Sequence, residues 1–193
     1  QELLTGNPIS ALEFTGLSTD KPVILIIGGS LGAAAINDAI RKILPELLKD
    51  FQIIHLCGKG KLDDTLTNVP GYVQYEYIKK ELADLFAASD LVISRAGANA
   101  ICEISALHKP NLLIPLSAKA SRGDQILNAR SFQKQGYSMV LEEEEITSQS
   151  LLNAIHELYA NRDSYVKAME SSAHFDAISK IVGLIEDCAS SSK

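Results

Sequence analysis

Short, nearly continuous aliphatic runs alternate along the chain with longer stretches whose apolar positions recur every three to four residues. The runs at 23–27, 52–57, 72–77, 91–94, 112–115 and 137–141 read as six strands, and the stretches at 33–48, 61–66, 80–88, 99–106 and 124–135 as the helices between them. Strands without polar alternation, each followed by a helix, predict a parallel sheet covered on both faces. After Ile146 the pattern is helical only: Thr147 caps one helix, Asn161 opens a second, and 177–188 forms a third before the Ser-rich end frays. Residues 1–20, punctuated by Gly6-Asn7-Pro8 and Gly16, carry no periodic element and are expected to form a linker. The predicted fold is therefore α/β, a Rossmann-like doubly wound six-stranded parallel sheet with C-terminal helices. Its domain spans 21–172, and a helix and tail follow at 173–193.

Composition narrows the picture. At 193 residues the chain is long enough to bury a core without disulfides or a structural metal. Cys57, Cys102 and Cys188 are odd in number and widely spaced, so free buried thiols in a reducing cytoplasm are expected. No aliphatic run approaches the roughly 20 residues of a membrane-spanning helix. The opening Gln-Glu-Leu-Leu has neither an initiator Met nor the basic and apolar regions of a signal peptide, and is expected to belong to a fragment of a longer protein. With 18 basic against 24 acidic side chains and no basic stripe, neither nucleic acid nor an anionic membrane surface is the expected partner of this piece. Trp is absent, so no platform for stacking bases is evident.

Two glycine turns carry the candidate chemistry. Gly28-Gly29-Ser30-Leu31-Gly32 leaves the first strand and opens a helix; Ser94-Arg95-Ala96-Gly97-Ala98-Asn99 does the same after the fourth. In a doubly wound sheet of order 3-2-1-4-5-6 these strands are neighbours at the switch point where ligands bind. Both turns would then present free N–H groups and a helix N-terminus to one crevice, an arrangement suited to a diphosphate. For either turn alone, a tight connection needing glycine for its backbone angles explains the pattern as well. The first turn is not GxGxxG, and no acidic residue ends the second strand at Leu56-Cys57-Gly58, which argues against a nicotinamide dinucleotide. No P-loop, DxD or metal-ligand cluster appears, so no metal is expected.

Glu103, four residues after Asn99, either complements its helix dipole or accepts ribose hydroxyls. The polar loop 117–124, with Gln125 and Asn128 beyond it, has the side chains to bind sugar hydroxyls, although Asp124 is equally an ordinary helix cap. The acidic run 142–145 reads as a solvated loop.

Gly28-Gly29-Ser30-Leu31-Gly32-Ala33, the segment Ser94 to Glu103, the stretch Pro110 to Pro115 and Gly123-Asp124-Gln125-Ile126-Leu127-Asn128-Ala129 resemble, in order and spacing, the C-terminal half of the MurG family of glycosyltransferase family 28. The resemblance covers nearly the whole chain, Thr5-Gly6-Asn7-Pro8 included. It implies one half of a GT-B enzyme, the donor half, with UDP-GlcNAc as donor substrate and no cofactor. Lipid I would be the acceptor, held by the N-terminal half, which would also supply the general base; no catalytic residue is expected in this half. The reaction implied is inverting transfer of GlcNAc to the muramoyl 4-hydroxyl, giving lipid II. The full-length protein is expected at the cytoplasmic face of the cell membrane.

Carried over by position, Ile78 matches the main chain that meets the uracil edge and Glu103 the ribose ligand. Ser30 matches a diphosphate contact, Ala98 and Asn99 line the diphosphate–sugar region, and Asp124 and Gln125 fall where the family reads the sugar hydroxyls, with Asn128 following in the same loop; Gly29, Gly32, Arg95, Gly97 and Ala100 complete the expected substrate-binding set. Ser10 stands where the family often has Arg, Ala100 where some members carry a hydroxyl, and Asp124 where Gln or His is common. Another GT-B donor domain, that of a diacylglycerol glycosyltransferase or a UDP-GlcNAc 2-epimerase, or a non-catalytic nucleotide sensor, would share these motifs.

Overall fold

The computed structural model describes residues 2–29, 33–118 and 123–172. Six strands, β1 (Val23–Ile27), β2 (Gln52–Leu56), β3 (Tyr72–Tyr75), β4 (Leu91–Ser94), β5 (Asn111–Leu113) and β6 (Met139–Val140), form one sheet of order β3-β2-β1-β4-β5-β6. Every neighbouring pair is parallel. The helices are α1 (Pro8–Thr15), α2 (Ala33–Asp50), α3 (Leu82–Ala88), α4 (Ala98–Ala106), α5 (Asp124–Lys134), α6 (Ser148–Ala160) and α7 (Arg162–Glu170). The predicted helix 177–188 lies outside the described residues.

Side-chain alternation along the strands divides the core in two. Ile24 and Ile26 of β1 join Ile53, Ile93 and Leu112 in a cluster completed by Ile36, Ile40 and Leu47 of α2 and Leu151, Ile155 and Leu158 of α6. Val23 and Leu25 face the other way, with Ile54 and Val92, onto Ala11 of α1, Leu85 and Phe86 of α3 and Ile104 of α4. Burial on both faces is why the strands read as unbroken aliphatic runs. Each side chain so buried contributes about 2 kcal/mol relative to its exposed state. Thr147 caps α6 as predicted, and reciprocally: its Oγ1 accepts the Ser150 N–H at 3.0 Å while Ser150 Oγ accepts the Thr147 N–H at 2.8 Å.

One polar group is built into the first cluster's side of the sheet. His55 of β2 is fully buried, with Nε2 2.9 Å from Asn37 Oδ1 and Nδ1 3.0 Å from the Tyr72 hydroxyl. Asn37 donates its own amide to the Cys57 carbonyl at 2.9 Å, so its oxygen must accept from Nε2–H, and Tyr72 then donates to Nδ1. This satisfies a neutral imidazole. Burial, reinforced by the Arg41 charge, lowers the His55 pKa to about 3, and burial pushes the Tyr72 phenol up to about 12.

Three sequence expectations are corrected. Residues 1–20 do not form an element-free linker: a short 3-10 turn at Glu2–Thr5 leads into α1, which is capped by the Asn7 side chain, has Pro8 in its first turn and ends on Gly16 at φ 70°. Residues 61–66 are not an α-helix. The left-handed backbone of Gly58 and Gly60 (φ 89° and 69°) and the Gln74 side chain, which bonds both the N–H and the carbonyl of Asp63, hold that loop open until a single 3-10 turn at Asp64–Leu66. Cys57 is buried as expected, but Cys102 is exposed on α4. Smaller differences are at strand ends: β2, β3 and β6 are shorter than the runs that contain them, and β5 begins one residue before its run and ends at Leu113.

Candidate functional site

The strand register aligns the carboxyl ends that matter. Ile27, the last residue of β1, stands opposite Ser94, the last of β4, and Ser94 stands opposite Leu113 at the end of β5. The turns that follow β1 and β4 therefore leave the sheet side by side at one level, the position at which open α/β sheets bind ligands. Ser30 and Gly32 lie outside the described residues; Gly29, exposed beside them, has φ 72°, so its glycine has a conformational cause.

Gly97 is different. It is the N-cap of α4, with φ −70° and ψ 140°, a conformation open to any residue, and a Cβ placed there would meet nothing within 4 Å. Neither strain nor internal crowding calls for glycine, which leaves the α4 N-terminus open to approach from outside. No side chain caps that terminus. Ala98 and Asn99 follow, both exposed, then half-buried Ala100, and Glu103 lies one turn beyond Asn99 on the same exposed face. No other described residue engages the Glu103 carboxylate.

Arg95 is the residue the structure treats most differently from its sequence assignment. Its guanidinium is buried, with Nη1 donating to the Ile114 and Pro115 carbonyls at 3.1 and 3.3 Å and Nη2 paired with Glu143. It braces the β4 turn against the exit of β5 and the acidic run instead of presenting a charge to a ligand. That run is accordingly not a simple solvated loop, because Glu143 meets Arg95 and Glu142 pairs with Arg130 at 3.0 Å. Glu143 is the positioning residue that sequence reasoning missed. The available signal was a single Arg among small residues in a turn, a charge that requires a partner when buried.

The region following β5 is stitched to the same turn. Gln125 Oε1 accepts the Leu116 N–H at 3.1 Å, and Asn128 donates to the Ala96 carbonyl at 3.2 Å. Asp124 is not the cap of α5: Gly123, at φ 84°, takes that place, and the exposed Asp124 is the first helical residue. Beyond β3, the Ile78 side chain is buried in the second cluster, so only its main chain can meet a ligand. Its N–H and C=O are not engaged by another described residue. Among the described residues, the predicted positions in the turns after β1 and β4 and at the start of α5 thus lie toward the carboxyl ends of the strands, with the Arg95 side chain turned inward. No helix among the described residues is long and apolar enough to cross a membrane.

Comparison with known proteins identifies the family. Residues 23–183 match the glycosyltransferase family 28 C-terminal domain. A relative from Lachnospira eligens, named as the N-acetylglucosamine transferase of UDP-N-acetylglucosamine and N-acetylmuramyl-(pentapeptide) pyrophosphoryl-undecaprenol, is 63% identical over 187 residues, covering 97% of this chain and 53% of the relative. One of the same name from Lachnoclostridium phytofermentans is 59% identical, with 97% and 53% covered. The chain thus spans about half the length of these relatives. Among solved structures, Acinetobacter baumannii MurG superposes with a TM-score of 0.68 at 26% identity, over 93% of this chain and 55% of that one.

Proposed function

Proceeding from the family to which this chain belongs, glycosyltransferase family 28, whose C-terminal domain it supplies, we propose that it is the donor-binding half of an inverting N-acetylglucosaminyltransferase that uses UDP-GlcNAc. The observation that carries this is Gly97, a glycine with no internal cause at an uncapped helix N-terminus, beside the β1 turn at the switch point. Main-chain N–H groups there suit a diphosphate.

In the bound state the Ile78 main chain meets the uracil edge, Glu103 accepts the ribose hydroxyls, and the start of α4 with the turn after Ile27 holds the diphosphate. Gln125, whose carbonyl is committed to Leu116, offers its amide donors to the sugar, together with Asp124 and Asn128. As the acceptor's 4-hydroxyl attacks the anomeric carbon, the glycosidic bond to UDP breaks and negative charge grows on the departing diphosphate. Fixed N–H donors at that point stabilise the charge without reorganising. Arg95 and Glu143 hold the turn that carries them.

The acceptor is lipid I and the product lipid II, with the acceptor site and general base on the preceding half of the full-length protein. That protein works at the cytoplasmic face of the membrane. The test is reconstitution: full-length protein should transfer labelled GlcNAc from UDP-GlcNAc to lipid I, while the 193-residue chain alone transfers none. Absence of transfer by the full-length protein would contradict the reading.

A further inference from the structure

Residues 2–16 are packed far more closely against the domain than a connecting segment requires. Gly6 lies so near the first turn of α3 that a Cβ would fall 2.0 Å from the Ala83 carbonyl oxygen and 2.4 Å from its carbon. Its φ is not in the left-handed region, so the glycine is there for close approach. The next residue locks the contact: the Asn7 N–H donates to Asp84 Oδ1 at 2.7 Å, while Asn7 Oδ1 accepts the Ile9 N–H and starts α1. Phe14, near the other end of α1, stacks on Tyr75 at 5.3 Å.

These contacts surround Ile78. Tyr75 ends β3 just before the 76–81 loop, and Asp84 stands in the first turn of α3 just after it. The Ile78 side chain is buried in the cluster that Ala11 and Leu12 of α1 share with Leu82 and Leu85 of α3. Both ends of the loop and the floor beneath it are thus held by the N-terminal segment. We propose that this segment is a positioning element for base recognition: Gly6, Asn7 and Asp84 seat α1 so that the Ile78 N–H and C=O face the pyrimidine in a fixed place. The proposal rests on the donor-site reading above.

The geometry makes the effect selective. Uracil presents an acceptor at O4 and a donor at N3, which an adjacent N–H and C=O of one residue satisfy together, whereas cytosine presents the opposite pair. Misplacing Ile78 removes contacts that UDP makes and CDP never made. A general loss of folded protein lowers apparent binding of both ligands equally.

The experiment is calorimetric titration of the 193-residue chain with UDP and with CDP, for the wild type, Gly6→Ala and Asp84→Ala. Leu158→Ala, which opens a cavity in the opposite cluster, serves as a destabilising control away from the N-terminal segment. Gly6→Ala should weaken UDP binding about tenfold, the size of one lost hydrogen bond or two, and leave CDP unchanged. Asp84→Ala should do the same to a smaller degree, and it decides the matter if Gly6→Ala does not fold. Leu158→Ala should lower the melting temperature and keep the UDP to CDP ratio. If the ratio also stays at its wild-type value in the foldable N-terminal variant, the segment is structural only and the proposal is overturned. A wild-type chain that does not prefer UDP over CDP refutes the donor-site reading itself, a distinguishable result.

Discussion

Acidification is predicted to unfold this domain partly through one residue. His55 is fully buried and satisfied as a neutral imidazole between Asn37 and Tyr72, and its pKa is lowered to about 3. In the unfolded chain it titrates near its ordinary 6.5. Below that pH the unfolded state takes up a proton that the native state refuses, so stability is lost as pH falls through the window from 6.5 toward 3. The loss is about 1.4 kcal/mol for each pH unit once the unfolded imidazole is charged. Relative to pH 7.5, the His55 contribution is therefore about 1 kcal/mol less stability at pH 5.5 and roughly 3 kcal/mol less at pH 4.5. Carboxylates titrate over the same range, so the measurement must be a difference. Urea denaturation of wild type and His55→Gln at these three pH values isolates it, because glutamine cannot charge. The variant should be less stable at pH 7.5, having lost the fitted network, and the gap should close by about 1 and then about 3 kcal/mol as pH falls. Parallel pH dependence in the two proteins would refute the buried neutral histidine.

Further predictions concern the site. Gly97→Ala should leave the melting temperature nearly unchanged, since its Cβ enters open space, yet weaken UDP at least about tenfold by blocking approach to the α4 N-terminus; calorimetry beside a thermal melt checks both, and undiminished affinity would remove Gly97 from the site. Glu103→Ala, on an exposed face, should shift stability by less than about 0.5 kcal/mol and weaken UDP about tenfold or more. A 2′-deoxy,3′-deoxy-ribose analogue should bind wild type and variant alike if Glu103 meets the ribose. Glu143→Ala should cost about 3 kcal/mol in urea denaturation because it leaves the Arg95 guanidinium buried without its carboxylate; a loss no larger than that of an exposed pair, under about 1 kcal/mol, would show that Arg95 does not depend on it.

The sheet and its order are legible in the sequence because period and connection rules suffice: aliphatic runs buried on both faces, separated by helices, leave few topologies. Local signals also identify the α6 cap. What escaped was decided by contacts distant in sequence. The start of α1 is written in Asn7-Pro8 and its end in Gly16, but its outer side keeps Ile9 65% exposed, so no apolar stripe marks it, and its packing on α3 appears only in three dimensions. Residues 61–66 lose their helix to Gln74, which takes both backbone groups of Asp63. Arg95 has a place in a ligand turn by sequence, and the carboxylate it pairs with, Glu143, is 48 positions away in a run whose charge suggested solvent. The site's glycines were legible as turns; which of them has a reason outside the protein required knowing that Gly29 has φ 72° and Gly97 does not.

A uridine-diphosphate-sugar site at the switch point is open to one decisive measurement, calorimetric titration of the 193-residue chain with UDP-GlcNAc, UDP-glucose, UDP and NAD, with and without EDTA. UDP-GlcNAc and UDP should bind at one site per chain, EDTA should change neither, and NAD should not bind. Binding of NAD, or of no uridine nucleotide at all, would contradict it.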